Sequence, residues 1–155
     1  NKKNMLMLVV YDTVAAIHVG LSSNALLFSK VDSVILVVFC LAILLFGALL
    51  FLWALMHSHS LNLALITNSG SLITTGPFRF IRHPFYSSYI LIWSSTALLF
   101  NTIGLWITLV YLVSFYIYVA KLEEIAILNS SHSREYRMYQ LSVGMFLPRI
   151  RGWKS

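Results

Sequence analysis

Four apolar runs alternate with short polar breaks along the chain, and each is close to the length that crosses a bilayer. They cover residues 5–28, 33–56, 84–100 and 105–122. The first is headed by Lys2 and Lys3, a pattern that also describes a secretory signal. Its length, with Asp12 and His18 inside it, predicts a retained spanning helix instead, with Asp12 near the interface. The second run carries no charge. At about 1.5 Å per residue it crosses a core of about 30 Å with some tilt. Phe46-Gly47-Ala48 would let another helix approach closely, and Trp53 would anchor the far interface.

Residues 57–83 break this pattern. His57, Ser58, His59, Asn62, Asn68, Ser69 and Gly70 are interleaved with Leu and Ile, which suits a segment lying along the membrane surface. His57 and His59 have the spacing of half a metal site, but no third ligand of suitable spacing follows, so no metal is expected. Between the third and fourth runs, Asn101-Thr102-Ile103-Gly104 is short and uncharged, which predicts an antiparallel helical hairpin. Hydroxyls crowd the third run at Tyr86, Ser87, Ser88, Tyr89, Ser94, Ser95 and Thr96, and these should face other helices or a cavity. Residues 123–155 form the only extended polar stretch, too short for a second domain. The expectation is an all-α integral membrane protein: a single domain over 1–155 with four transmembrane helices and a cytosolic C-terminal cap.

Composition agrees. The chain is 59% hydrophobic and 10% charged, where soluble domains carry about 25% charge. Its mean hydropathy is +0.81. There is no G-x-G-x-x-G, P-loop or C-x-x-C, so no soluble nucleotide-binding core is expected. Cys40 sits alone inside an apolar run and can form no intrachain disulfide. The net charge of +6 does not point to nucleic acid, because the charges lie where a bilayer would put them. With four spans, ten Lys and Arg fall on one side and only Lys30 on the other. Positive residues stay inside, so both termini and the loop before the third span are expected to be cytoplasmic.

That loop holds the densest chemistry. Gly76-Pro77 is a turn signal, and Pro84 suits the first turn of a helix, where no N–H is needed. Arg79, Arg82 and His83 thus form a compact basic segment running into a helix N-terminus, a place that attracts anionic groups. Glu123 and Glu124, at the open end of the predicted hairpin, meet it on the same membrane face. Two plainer readings stand beside a binding site. The arginines could face lipid phosphates, or Arg82 could pair with Glu123 or Glu124 to orient the cap, a surface pair contributing about 0–1 kcal/mol. The residues by themselves leave the function open at a membrane-interface site.

Taken together, Gly76-Pro77-Phe78-Arg79-x-x-Arg82-His83-Pro84-x-Tyr86, Glu123-Glu124, Tyr136-x-x-Tyr139 and Leu147-Pro148-Arg149 resemble the isoprenylcysteine carboxyl methyltransferase and phospholipid methyltransferase superfamily. The resemblance covers roughly residues 45–150. It implies an integral membrane enzyme that binds S-adenosylmethionine at the cytosolic face. Carried over by position, it makes Arg82, His83, Pro84, Tyr86, Tyr89, Glu123, Glu124, Tyr139, Pro148 and Arg149 the cofactor-binding residues, with Arg82, His83 and Glu124 catalytic. The chain departs from the pattern with Phe78 for Tyr, Ser88 for Gly, and Ser131-His132-Ser133 for the usual Phe-Gly. The last departure bears on the shape of the cap.

The implied chemistry is direct methyl transfer to a lipophilic acceptor entering from the bilayer: an isoprenylcysteine-like carboxylate, a phospholipid amine or a small thiol. The protein's part is chiefly alignment, which can supply about 7–11 kcal/mol. Tyr86, Tyr89 and Trp93 are candidates to face the sulfonium by cation–π attraction. A carboxylate acceptor needs no base, whereas an amine would call on His83 or a glutamate. Two rival classes remain: an NADPH-dependent membrane reductase of the sterol-reductase type, disfavoured by length, and a non-catalytic membrane scaffold.

Overall fold

The computed structural model describes residues 2–58 and 72–149. Five helices account for most of them: α1 (Lys2–Phe28), α2 (Val34–Ser58), α3 (Pro84–Phe100), α4 (Ile103–Leu128) and α5 (Ser133–Ser142), with a short 3₁₀ turn at Gly76–Arg79. No strand is present among the described residues. Helices α1, α2 and α4 are long and apolar enough to cross a membrane, and the apolar stretch of α1 begins at Met5. Helix α3 has 17 residues, about 25 Å of rise. His59, Asn62, Asn68, Ser69 and Gly70, expected along the membrane surface, lie outside the described residues.

Element ends follow local chemistry. The Ser33 hydroxyl accepts the Leu36 N–H at 3.3 Å and caps the start of α2. Pro84 opens α3, as its missing N–H predicts. Asn101, at φ 48°, ends α3 in the left-handed region that Asn tolerates. Its side-chain oxygen then accepts the Trp106 indole N–H at 2.9 Å, tying the turn to α4. The largest displaced boundary is the end of α4, while α2 also runs on through His57 and Ser58, both expected in the polar break. Helix α4 runs to Leu128, so Glu123 and Glu124 ride on the helix instead of opening the cap. Loss of hydropathy at residue 123 marks the end of an apolar window, but Leu, Glu, Ile and Ala are all able helix formers, and no Gly or Pro interrupts residues 122–128.

The residues form two compact units, Asn1–Gly47 with Ile90–Tyr118, and Ala48–Tyr89 with Val119–Ser155. In the first, Ala97, Leu105 and Leu109 form a small core with Trp93, Phe100, Trp106 and Val113 against it. Helix α1 joins this unit through polar contacts. His18, fully buried, places Nδ1 2.7 Å from Thr108 Oγ1 and Nε2 2.9 Å from Thr96 Oγ1. Tyr11 meets the Tyr116 hydroxyl at 3.0 Å, and Trp93 donates to that same hydroxyl at 2.9 Å.

The second unit is built around Ala54, Leu72, Ile73, Phe78, Phe85, Ile127, Tyr136, Tyr139 and Val143. Here the sequence signal at Gly76 has a double cause. Its φ is +58°, and a Cβ there would stand 2.4 Å from the His57 ring. The chain can turn under α2 only with glycine at that point.

Candidate active site

The site lies within the second unit, where the loop before α3, the end of α4 and helix α5 converge. Residues 81–83 and 143–146 run side by side. Ile81 and Gly144 form an isolated parallel bridge, the Arg82 N–H donates to the Gly144 carbonyl at 2.8 Å, and the His83 N–H donates to the Met145 carbonyl at 3.1 Å. The Ser87 hydroxyl adds a 2.8 Å bond to the Phe146 carbonyl. The C-terminal segment is thereby stitched to the start of α3, and the side chains of residues 82 and 83 are fixed in direction.

Those side chains turn toward the two glutamates. Arg82 Nε donates to Glu124 Oε1 at 2.9 Å, and His83 Nε2 lies 3.0 Å from the same oxygen. Gln140 Nε2 donates to Glu124 Oε2 at 2.8 Å. Both oxygens of Glu124 are therefore engaged inside the protein. Arg82 Nη1 reaches back to the Val143 and Gln140 carbonyls, and Arg149 reaches the Leu141 carbonyl. These are carbonyls at the C-terminal end of α5, which lack intrahelical partners and favour cations. With Arg82 and Glu124 side chains each 11% exposed, this pair is a buried one, unlike the surface bridge considered from sequence.

Glu123 is placed differently. Neighbours on a helix point about 100° apart, and it meets different partners. Its Oε1 accepts the Tyr86 hydroxyl at 2.5 Å. Its Oε2 is 3.5 Å from His83 Nδ1 and, although buried, accepts no hydrogen bond among the described residues. The Tyr136 hydroxyl is a second buried polar atom in that position. Burial raises the Tyr136 phenol well above its ordinary pKa, and the Glu124 charge raises it further, so it stays a neutral donor.

His83 is 4% exposed. Burial by itself lowers an imidazole's pKa, but the flanking Glu123 and Glu124 carboxylates outweigh that and raise it above the ordinary value. The ring is stacked on Tyr86, with centroids 5.7 Å apart and planes inclined by 15°, and Phe146 lies 6.0 Å away.

Of the residues singled out from sequence, Arg82, His83, Tyr86, Glu123 and Glu124 come together as one bonded cluster. Pro84 is fully buried at the start of α3. Tyr139 is not turned to the carboxylates; its hydroxyl donates to the Phe78 carbonyl in the core. Burial chiefly raises that phenol's pKa as well. Tyr89 packs on Phe51, with centroids 5.8 Å apart, Pro148 is exposed, and Trp93 belongs to the other unit. Gln140 is the participant the sequence did not reveal. Its signal is spacing alone: Tyr136, Tyr139, Gln140 and Val143, which follows the helix, have the spacing of one face of α5. Among the described residues no group of three or more His, Cys, Asp or Glu could hold a metal.

Residues 36–129 match the model of the isoprenylcysteine carboxyl methyltransferase (ICMT) family. The match takes in Arg82, His83, Pro84, Tyr86, Glu123 and Glu124 and leaves out α1 and α5. No curated protein and no solved structure matches the chain.

Proposed function

The chain belongs to the isoprenylcysteine carboxyl methyltransferase family, an integral-membrane methyltransferase family, and on that premise we propose that it methylates a lipophilic carboxylate of the isoprenylcysteine class with S-adenosylmethionine as donor. The observation that carries the donor is Glu123 Oε2, a buried carboxylate oxygen without a hydrogen-bond donor among the described residues. The His83 ring 3.5 Å away offers it charge but no hydrogen bond, and a buried carboxylate oxygen is best satisfied by a further donor. S-adenosylmethionine carries an ammonium group and ribose hydroxyls able to serve as that donor, and the Tyr136 phenol offers a donor to its acceptor atoms. The residues present therefore fit the cofactor. Glu123 and Tyr136 would hold it, while Tyr86 fixes the direction of Glu123, and Arg82, Glu124 and Gln140 hold the wall.

When bound, the cofactor supplies a methyl group already activated on a sulfonium. The protein's own work is to orient and to exclude water. His83 bears on the acceptor. Held between two carboxylates and favoured as imidazolium, it is a poor proton acceptor at neutral pH. An ionised carboxylate needs no base, whereas an amine would, so the cluster favours the carboxylate among the acceptors considered. The ten-to-one distribution of Lys and Arg supports four spans, a cytoplasmic mouth for the site and cytoplasmic termini.

Calorimetric titration of S-adenosylmethionine into the purified protein in detergent tests this directly. Binding that Glu123→Gln weakens by about tenfold, or about 1.4 kcal/mol, is expected. Folded protein that binds NADPH instead would favour the reductase, and folded protein that binds neither would favour the scaffold.

A further inference from the structure

The inner face of α5 closes the carboxylate cluster, and its outer face has no partner among the described residues. Arg134, Arg137, Met138 and Leu141 follow the i, i+3, i+4, i+7 spacing of one helical stripe. All four are exposed, Met138 and Leu141 at 66% each. Neither arginine has an ion pair or hydrogen bond among the described residues. Leu147, 77% exposed, follows shortly after the helix.

Two large apolar side chains on the same stripe as two cations fit neither bulk water nor the hydrocarbon core. They suit the headgroup layer, where apolar side chains enter the acyl boundary and cations meet phosphates. The chain's reach brings α5 to that layer. The 26 residues of α4 rise about 39 Å, roughly 9 Å more than a hydrocarbon core of about 30 Å. Residues 101–120 carry no charge and Lys121 is the first after them, so the surplus falls at the end holding Lys121, Glu123 and Glu124. Only residues 129–132 separate α4 from α5. At about 3.5 Å per residue such a link cannot carry α5 far from the interface.

We propose that the outer face of α5 is a docking surface for anionic phospholipid headgroups, with Arg134 and Arg137 on the phosphates and Met138 and Leu141 entering the acyl boundary. The occupant is a bilayer surface and not a protein, because the stripe sets two cations beside two exposed apolar side chains and lies next to the end of a spanning helix. If the cluster binds a methyl donor as proposed above, the lipid would also steady it, since the same helix presents Gln140 to Glu124.

The test is a Met138→Cys protein in a Cys40→Ala background, labelled with a polarity-sensitive fluorophore and reconstituted into phosphatidylcholine vesicles with or without phosphatidylglycerol. A blue shift and quenching by lipids brominated close to the headgroup are expected. Both should strengthen with phosphatidylglycerol, and the added effect should vanish at high salt and in Arg134→Gln/Arg137→Gln. Far-ultraviolet circular dichroism of each variant verifies that the helices are intact. Emission that stays water-like in both lipids, with no bromine quenching, would overturn the proposal and leave the face to solvent or a protein. The readout is independent of methyl transfer, so failure of the enzymatic reading would not mimic failure of this one.

Discussion

Gln140 Nε2 donates a 2.8 Å hydrogen bond to Glu124 Oε2 across sixteen residues of chain, joining α5 to the end of α4. With Arg82 and His83 on the other oxygen, this bond completes the coordination of Glu124. Two adjacent glutamates that look interchangeable in sequence thereby acquire different work. Glu124 holds α5 and the loop before α3 together, and Glu123 retains a buried oxygen without a hydrogen bond among the described residues.

The difference predicts two phenotypes. In Glu124→Gln an amide NH₂ would face donors on Arg82, His83 or Gln140, leaving buried charge uncompensated. Breaking a buried pair from one side costs about 3–5 kcal/mol, so this variant should show a marked loss of stability in detergent. Glu123→Gln, whose side chain is 26% exposed, should unfold near wild type while losing donor affinity. Thermal unfolding measured beside calorimetry separates the two. Equal destabilisation by both changes would remove the division of labour.

Stability should also depend on pH through His83. Its folded pKa is raised above the ordinary value of 6.5, since Glu123 and Glu124 outweigh burial. A raised folded value means the imidazolium's contribution is complete below the unfolded pKa and is lost as pH climbs through the folded one. Unfolding temperature should therefore fall as pH is raised from below 6.5 through the higher, folded value. His83→Gln should flatten that decline, and a wild-type curve flat across the window would contradict the imidazolium assignment.

How far the sequence reaches is visible in particular residues. Gly76 and Pro84 announced a turn and a helix start, because each restricts or frees the backbone in a way neighbours cannot imitate. The convergence of Arg82 and His83 with the glutamates was legible because charge near an apolar run has few places to go. Which glutamate faced which partner was not, since that depends on a helical rotation of about 100°. Nor was Gln140, a neutral amide without a motif, recognised only when Glu124 stands opposite. His18 was noticed as foreign to an apolar run, but its partners Thr96 and Thr108 lie 78 and 90 residues away. Pairing across that distance is a property of packing.

His18 supplies a third prediction. It bonds to hydroxyls on both α3 and α4 and packs edge-on to Trp93, with centroids 5.0 Å apart. In membrane proteins such bonds average about 0.6 kcal/mol each, so His18→Leu should cost on the order of 1 kcal/mol for two. Equilibrium unfolding in mixed SDS micelles can resolve that. Thr96→Val/Thr108→Val should reproduce it, and adding His18→Leu to that pair should cost little more. Full additivity of the three changes would show that the bonds do not hold α1.

The last prediction concerns whether α3 crosses the membrane. Its 17 residues rise about 25 Å, some 5 Å less than a typical hydrocarbon core, and mismatch of that size costs only fractions of a kcal/mol per Å. A short span is therefore physically acceptable, with little tilt or a locally thinned bilayer. The turn after it is the place to look. Asn101 must be kept for its positive φ, but Thr102 is exposed and tolerates replacement. In sealed, oriented vesicles of a Cys40→Ala background, Thr102→Cys should react with an impermeant maleimide only from the non-cytoplasmic side, and Ser131→Cys only from the cytoplasmic side. Labelling of Thr102→Cys from the cytoplasmic side and of Ser131→Cys from the other would make α3 a re-entrant helix and leave the three spans α1, α2 and α4. The ten-to-one charge count would then have to be redrawn, because residues on either side of α3 would share a face.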